Sequence, residues 1–333
     1  MKIPLNKISK GFFIKNFILP LLLSYICYMK PISFIIITYN RAADTLELLQ
    51  NISSLNNSST LLQDIIIVNN ASAENYDTVK NYISEKITFP FQYIDAPSNL
   101  GVTKGRNFAL QFAKGEICIF LDDDAILGNP DALENVIKSF DSKGIDDREV
   151  AIVSFKVLYY STKEFQKNAL PNKQFDKYQS KEIFYTYYFA GGAHAIKRKV
   201  LNEVGNLPED FFYGMEEYDL SYRILDNGYC IKYDSSIIML HKESPLGRKP
   251  KSEKLRMMWV NKTIVAYKYL PKPFFYTTAI MWSIQFLKET NCNLNNFFKG
   301  WKAIFAIPKT QKRTRLKTTT LQYLKEVEAR LWY

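Results

Sequence analysis

Cysteine and histidine are scarce in this sequence. Its four cysteines, Cys27, Cys118, Cys230 and Cys292, lie far apart and form no CxxC or zinc-ligand spacing. That excludes a disulfide framework and points to a reducing compartment, the cytoplasm. The histidines are two, His194 and His241, and glycine and proline number 13 each, too few for a collagen-like or low-complexity chain. Long apolar runs are also missing. Phe12 to Met29 carries Lys15 and Pro20, and its charge-free part from Phe17 has 13 residues, against ~20 for a spanning helix. Phe274 to Leu287, with 14 residues, is equally short. Two readings stand for residues 1–29. Lys2, Lys7 and Lys10 ahead of the apolar stretch fit a signal-anchor-like segment. Alternatively Met29 is the true start, since Met29-Lys30-Pro31 leads straight into the first clear strand.

The 333 residues are 47% hydrophobic and 23% charged, close to globular averages, so disorder over most of the chain is excluded. The length suits one large domain with additions or two domains, with ample core. The net charge of +11 is unevenly spread: from Lys242 onward there are 19 basic and 5 acidic residues, +14, leaving −3 for the rest. All four tryptophans also fall there. A basic aromatic segment suits an anionic membrane surface. A helical region packed on the rest of the protein, with a solvated charged face, would read the same way. No recognised nucleic-acid motif is present, and no nucleic-acid partner is expected.

Ile32–Ile37, Asp64–Val68 and Ile117–Leu121 are continuous β-branched and apolar runs, the pattern of strands buried on both faces. Phe91–Ile94, Val150–Leu158 and Ile231–Leu240 are further strands. Between them, Ala42–Leu55, Glu74–Lys86, Thr103–Ala113, Asp131–Phe140, a stretch near Lys197–Val204 and Glu217–Asp226 have helical spacing. Alternating strands and helices imply an α/β fold with a mainly parallel sheet flanked by helices. Tyr159–Tyr188 has no clear period and reads as a loop region that sets specificity. From Leu255 onward the chain reads as helical.

In an open parallel sheet, ligands bind at the carboxyl ends of the strands. Polar clusters stand there: Thr38-Tyr39-Asn40-Arg41, then Asn69-Asn70-Ala71-Ser72, then Asp122-Asp123-Asp124. The first two read equally as ordinary turns. Gly101 and Gly105 allow close backbone approach at a helix start, where Arg106 can meet a diphosphate. Three carboxylates after an apolar strand repel one another without a cation. Along an extended strand, Asp122 and Asp124 would share a face ~6.5 Å apart and hold Mg²⁺ or Mn²⁺ together. Asp124 is expected to stand exposed toward that ion rather than packed. His241 ends a strand and can approach the same ion. Glu216-Glu217-Tyr218-Asp219 opens a helix, where acidic residues are favoured in any case.

Together, ISFIIITYNRA, DIIIVNNAS, NLGVTKGRN, FLDDDAIL, GGAHAIKRKVLNEVGNLPEDFFYGMEEYDLSYRILDNGY and LHKESPLGR resemble the family 2 glycosyltransferases of GT-A fold, over Pro31 to Arg248. The resemblance implies an inverting transferase with a nucleotide-diphosphate sugar donor and a glycan or lipid-linked glycan acceptor. It implies that Thr38, Tyr39, Arg41, Asn69, Gly101, Arg106, Asp122 and Asp123 line the nucleotide. Asp122 and Asp124 would hold the metal with His241, Glu217 would act as base, and Gly192, Glu216 and Asp219 would face the acceptor. Asn69 and Glu217 replace the aspartates commoner in the family. The implied organisation is an N-terminal segment (1–29), a catalytic domain (30–248, with a nucleotide half 30–125 and an acceptor half 126–248) and a basic helical tail (249–333). A nucleotidyltransferase, or a non-catalytic nucleotide-sugar-binding relic, are the alternatives.

Overall fold

The computed structural model of the protein describes residues 31–331 except 87, 143 and 244–248. The N-terminal segment 1–29, Arg248 and Trp332 therefore lie outside the described residues. The first apolar runs form the centre of the sheet. Strands β1 (Ile32–Thr38), β2 (Leu62–Asn69), β3 (Phe91–Asp95) and β4 (Ile117–Asp122) are parallel and lie in the order β3-β2-β1-β4. The side chains of β1, β2 and β4 are almost all buried, as expected when helices cover both faces. Four helices connect these strands: α1 (Ala42–Ser54), α2 (Ser58–Leu61), α3 (Asp77–Glu85) and α4 (Gly101–Leu110).

Beyond β4 the sheet becomes mixed. The next elements are β5 (Ala125–Leu127), α5 (Ala132–Asp141) and β6 (Val150–Tyr159). They are followed by α6 (Phe175–Tyr178), β7 (Ile183–Thr186), β8 (Ala193–Lys197), α7 (Arg198–Val204), α8 (Glu216–Asp226) and β9 (Cys230–His241). The sheet continues β4-β8-β6-β9-β5, with β7 also paired to β9. Strand β8 runs antiparallel between β4 and β6. It is invisible in the periodicity because it is five residues long and contains a histidine and a lysine. The histidine, His194, is buried, stacks on Phe120 at 4.8 Å, and its Nδ1 lies 3.1 Å from the Ala190 carbonyl. Burial pushes its pKa down to about 3, so it is a neutral core residue. The segment read as loop from Tyr159 to Tyr188 instead contains α6 and β7. There Leu170, Tyr178, Phe184 and Tyr233 form a small core of their own.

The basic region folds into α9 (Lys251–Tyr269), α10 (Lys272–Glu289), α11 (Leu294–Thr310) and α12 (Thr318–Glu326). Trp259 is fully buried among Phe286, Phe297 and Trp301, and its Nε1 donates to the Ala279 carbonyl at 3.0 Å. A Cβ at Gly300 would collide with its ring. Trp259 is thus a core residue, which corrects its expected place at a membrane interface. Helix α12 docks back on the sheet: Tyr323 OH donates to the Thr186 carbonyl at 3.1 Å, and Thr320 bonds Asp226. Just beyond α12, Glu328 binds Lys177 and Tyr178. Among the described residues no helix is long and apolar enough to cross a membrane.

Candidate active site

β1, β2 and β4 end on one edge of the sheet, so the polar clusters that follow them converge there. They border a cavity of about 710 Å³, lined by Tyr39, Arg41, Asn70, Gly101, Arg106 and the three aspartates among others. Strand β4 stops at Asp122, and Asp123 and Asp124 turn the chain into β5. The extended spacing expected for Asp122 and Asp124 is therefore replaced by a tighter cluster. Antiparallel pairing of β5 with β9 sets Ala125 opposite His241 and so delivers the imidazole to the turn. Ligand atoms of Asp122, Asp124 and His241 all lie within 4.8 Å of one another.

The imidazole is oriented from behind. His241 Nδ1 lies 2.9 Å from Gln166 Oε1, and Gln166 Nε2 donates to Glu243 at 2.9 Å. With the Gln166 oxygen as acceptor, Nδ1 carries the hydrogen, and Nε2 is left facing Asp124 Oδ1 at 3.3 Å. Such an outer partner fixes the tautomer of a metal-ligating histidine. Burial lowers the pKa of His241, but the hydrogen bond to Asp124 and the charge of Asp122 outweigh it, and the net shift is upward. Two carboxylates that favour the protonated imidazole supply the negative charge and oxygen donors that a divalent cation could use in place of that proton.

Arg41 fixes the same turn from the other side, 2.7 Å from Asp123 and 3.1 Å from Asp124. Asp123 also accepts the Tyr39 backbone N–H at 3.2 Å, so it ties the β1–α1 loop to the β4–β5 turn. Burial raises its pKa to about 6 against the pull of Arg41. Asp124 is 1% exposed, which corrects the expectation that it stands open to solvent.

Three expected site residues are placed elsewhere. Thr38 has no exposure, and its hydroxyl is bonded to Thr45 at 2.7 Å and Tyr76 at 2.5 Å, behind the loop. Asn69 donates to Asp95 at 2.9 Å and accepts the Ser72 N–H at 3.0 Å, bridging β2 to β3. Its neighbour Asn70 lines the cavity instead. Asp219 is buried and committed to Arg223 at 2.9 Å, Lys268 at 2.5 Å and Tyr269 at 2.9 Å. Residues two apart on a helix point to opposite sides, so Glu217 faces the site while Asp219 clamps α8 to α9.

A second cavity of about 590 Å³ adjoins the first and shares Arg106, Asp122 and His241 with it. Gly191, Gly192, Glu216 and Glu217 line it. The paired glycines make the approach possible: a Cβ at Gly191 would collide with Glu217 Oε1, and one at Gly192 with the Asp122 carboxylate. Arg106 is 2.9 Å from Asp122 and 3.9 Å from Glu216. Glu216 Oε2 is buried with no hydrogen-bond partner among the described residues. Burial, then the charge of Glu217, raises the pKa of Glu216 against the pull of Arg106. Burial likewise raises Glu217, which brings this half-buried carboxylate toward the range of a general base. The cavity also draws on Lys173, Tyr188, Lys262, Trp282 and Arg330. Sequence reasoning placed specificity in Tyr159–Tyr188, which supplies Lys173 and Tyr188, but named none of these side chains for the site, because each comes from a segment without a local motif.

Comparison with known proteins bears on this geometry. A curated relative from Bacillus subtilis, the uncharacterized glycosyltransferase YwdF, is 30% identical over 182 residues, 54% of this chain and 62% of that protein. The mannosyltransferase PcManGT from Pyrobaculum calidifontis, solved with GDP-Man and Mn²⁺, superposes with a TM-score of 0.57 at 18% identity, over 96% of this chain and 90% of that one. TarS 1-349 of S. aureus with UDP-GlcNAc gives 0.55 at 15% identity, over 83% and 81%. At these identities the likeness establishes the fold, which is GT-A. The family model for glycosyl transferase family 2 matches residues 33–205, just over half of the chain, and the protein belongs to that family.

Proposed function

We propose that the protein transfers a sugar from a nucleotide-diphosphate sugar to a hydroxyl of a glycan or lipid-linked glycan, with inversion. The observation that carries this is the adjacency of the two cavities: the acidic cluster lies in one, Glu217 in the other, and Arg106 and Asp122 belong to both. The GDP-Man and Mn²⁺ of PcManGT and the UDP-GlcNAc of TarS support a donor of this class. Asp122, Asp124 and His241 would hold a divalent ion, and the imidazole nitrogen favours Mn²⁺ over Mg²⁺. Such an ion, when bound, offsets negative charge on the departing diphosphate. Arg106 adds a fixed positive charge beside the same group. Glu217 takes the proton of the acceptor hydroxyl as its oxygen bonds to the anomeric carbon. The bond to the diphosphate breaks on the opposite face, which inverts the centre.

A nucleotidyltransferase would use the same acidic cluster but has no need of Glu217 and its glycine-lined cavity. Asn69, the reason to consider a relic, is occupied in bridging β2 and β3 and carries no weight there. The test is a thermal-shift panel of nucleotide sugars with Mn²⁺, since the true donor raises apparent stability by mass action. Donor hydrolysis and the anomer of the product follow. A panel in which no nucleotide sugar raises the melting temperature sinks the reading. Gly191→Ala supplies a further check. The added methyl displaces Glu217, so kcat should fall roughly 10²-fold, the cost of a misplaced catalytic group, while nucleotide affinity holds.

The acceptor is read as lipid-linked, presented at an anionic membrane on the cytoplasmic side. Tyr276, Ile280 and Ile284 are exposed at successive turns of α10, and Phe298 and Phe305 of α11 are 64% and 74% exposed. The same α10 lends Thr278 and Trp282 to the acceptor cavity. Each surrounding lysine near the lipid is worth ~1 kcal/mol. The native protein should sediment with anionic but not neutral vesicles, less so at high salt. Ile280→Asp with Phe305→Asp should weaken that binding at least ~10-fold, since the apolar contact is what the charge holds in place. Failure of the native protein to bind either vesicle removes the membrane from the reading.

A further inference from the structure

The acceptor cavity is also lined by basic residues, among them Lys173 and Lys262. Lys262 of α9 places its Nζ 3.0 Å from the centroid of the Tyr218 ring, and Lys173, at the rim, lies 5.2 Å from that of Tyr188. The two rings stack at 4.8 Å and 11°, so one aromatic pair holds both ammonium groups. Some buried or half-buried lysines elsewhere in the fold meet carboxylates: Lys242 meets Asp44 and Glu47, Lys197 meets Glu149, and Lys268 meets Asp219. Among the described residues, Lys173 and Lys262 form no ion pair or hydrogen bond, and Glu217 is the one carboxylate whose charge reaches both.

We propose that Lys173 and Lys262 bind an anionic group of the acceptor, a phosphate or a carboxylate, beside the hydroxyl that Glu217 deprotonates. The proposal rests on the sugar-transfer reading and names the acceptor's chemical class. Desolvation, then repulsion by Lys173, pushes the Lys262 ammonium well below its ordinary pKa, and Glu217 offsets this only in part. A bound anion would relieve both. Lysine serves such oxyanions as a point charge on a flexible stem.

The test is calorimetric titration of the full-length protein at constant ionic strength with glycerol 3-phosphate and with glucuronate, against glycerol and glucose. At least one anion should bind, at least tenfold more weakly to Lys173→Met and to Lys262→Met, and near normally to Lys262→Arg. Preference for glycerol 3-phosphate assigns a phosphate-bearing acceptor, and preference for glucuronate an acidic sugar. Native anion affinity in both Met variants overturns the proposal, as does no discrimination between charged and neutral probes. If Lys262→Met fails to fold, Lys173→Met at the rim decides. Donor hydrolysis with Mn²⁺ is measured in parallel. Hydrolysis without anion binding sinks this proposal alone, and anion binding without any donor binding sinks the sugar-transfer reading.

Discussion

Asp124→Asn should abolish Mn²⁺-dependent binding of the nucleotide sugar and, with it, turnover. The amide keeps the shape of the side chain and can still accept from Arg41, which lies 3.1 Å from one carboxylate oxygen. It removes one of the two negative charges in the cluster and an oxygen donor that lies 3.3 Å from His241. Loss of an outer partner typically costs ~10–100-fold in metal affinity, so loss of a ligand should cost ~10²-fold or more. Asparagine is preferred to alanine because Asp124 is buried and an alanine would also leave a hole. Calorimetry of Mn²⁺ with nucleotide is the measurement, and the melting temperature without Mn²⁺ controls for folding. Unchanged Mn²⁺-dependent affinity would remove Asp124 from the ion.

Glu217→Gln should bind donor normally and lose ~10²–10⁴-fold in kcat, the range for general-base help. The amide fills the space that Gly191 leaves open but cannot take a proton. A base acts in the transition state, so kcat should fall and the donor KM should hold. A near-native kcat would move the role to Glu216, whose Oε2 is buried without a partner among the described residues. Asp219 is no substitute, because Arg223, Lys268 and Tyr269 already occupy its carboxylate.

The parallel half of the sheet was legible in the sequence because a strand covered on both faces must be apolar throughout, as ISFIII and DIIIV are. Strand β8 was not, since five residues with a buried neutral histidine carry no period. At the site, carboxylates crowded behind an apolar strand announce themselves by their mutual repulsion, and Asp122, Asp124 and His241 do converge. Side-chain direction at a strand end was not legible. Thr38 and Asn69 have suitable chemistry but point into hydrogen bonds inside the protein. The lysines of the second cavity were out of reach for another reason. Lys173 and Lys262 are 89 positions apart, and the fold places them over two tyrosines that stack on each other.

The docking of α12 has a kinetic consequence. Tyr323 bonds a carbonyl 137 residues earlier, and Glu328 bonds Lys177, 151 residues earlier. Contacts this distant in sequence slow folding, because loop closure must precede their reward. Strands β1 to β4 are all synthesised once Asp122 has emerged, whereas Arg330, which lines the second cavity, follows about 200 residues later. At ~5–20 residues per second of translation, roughly 10–40 s separate the two events. The two cavities are therefore completed at different times: the aspartates of the first are synthesised well before the last residues that line the second.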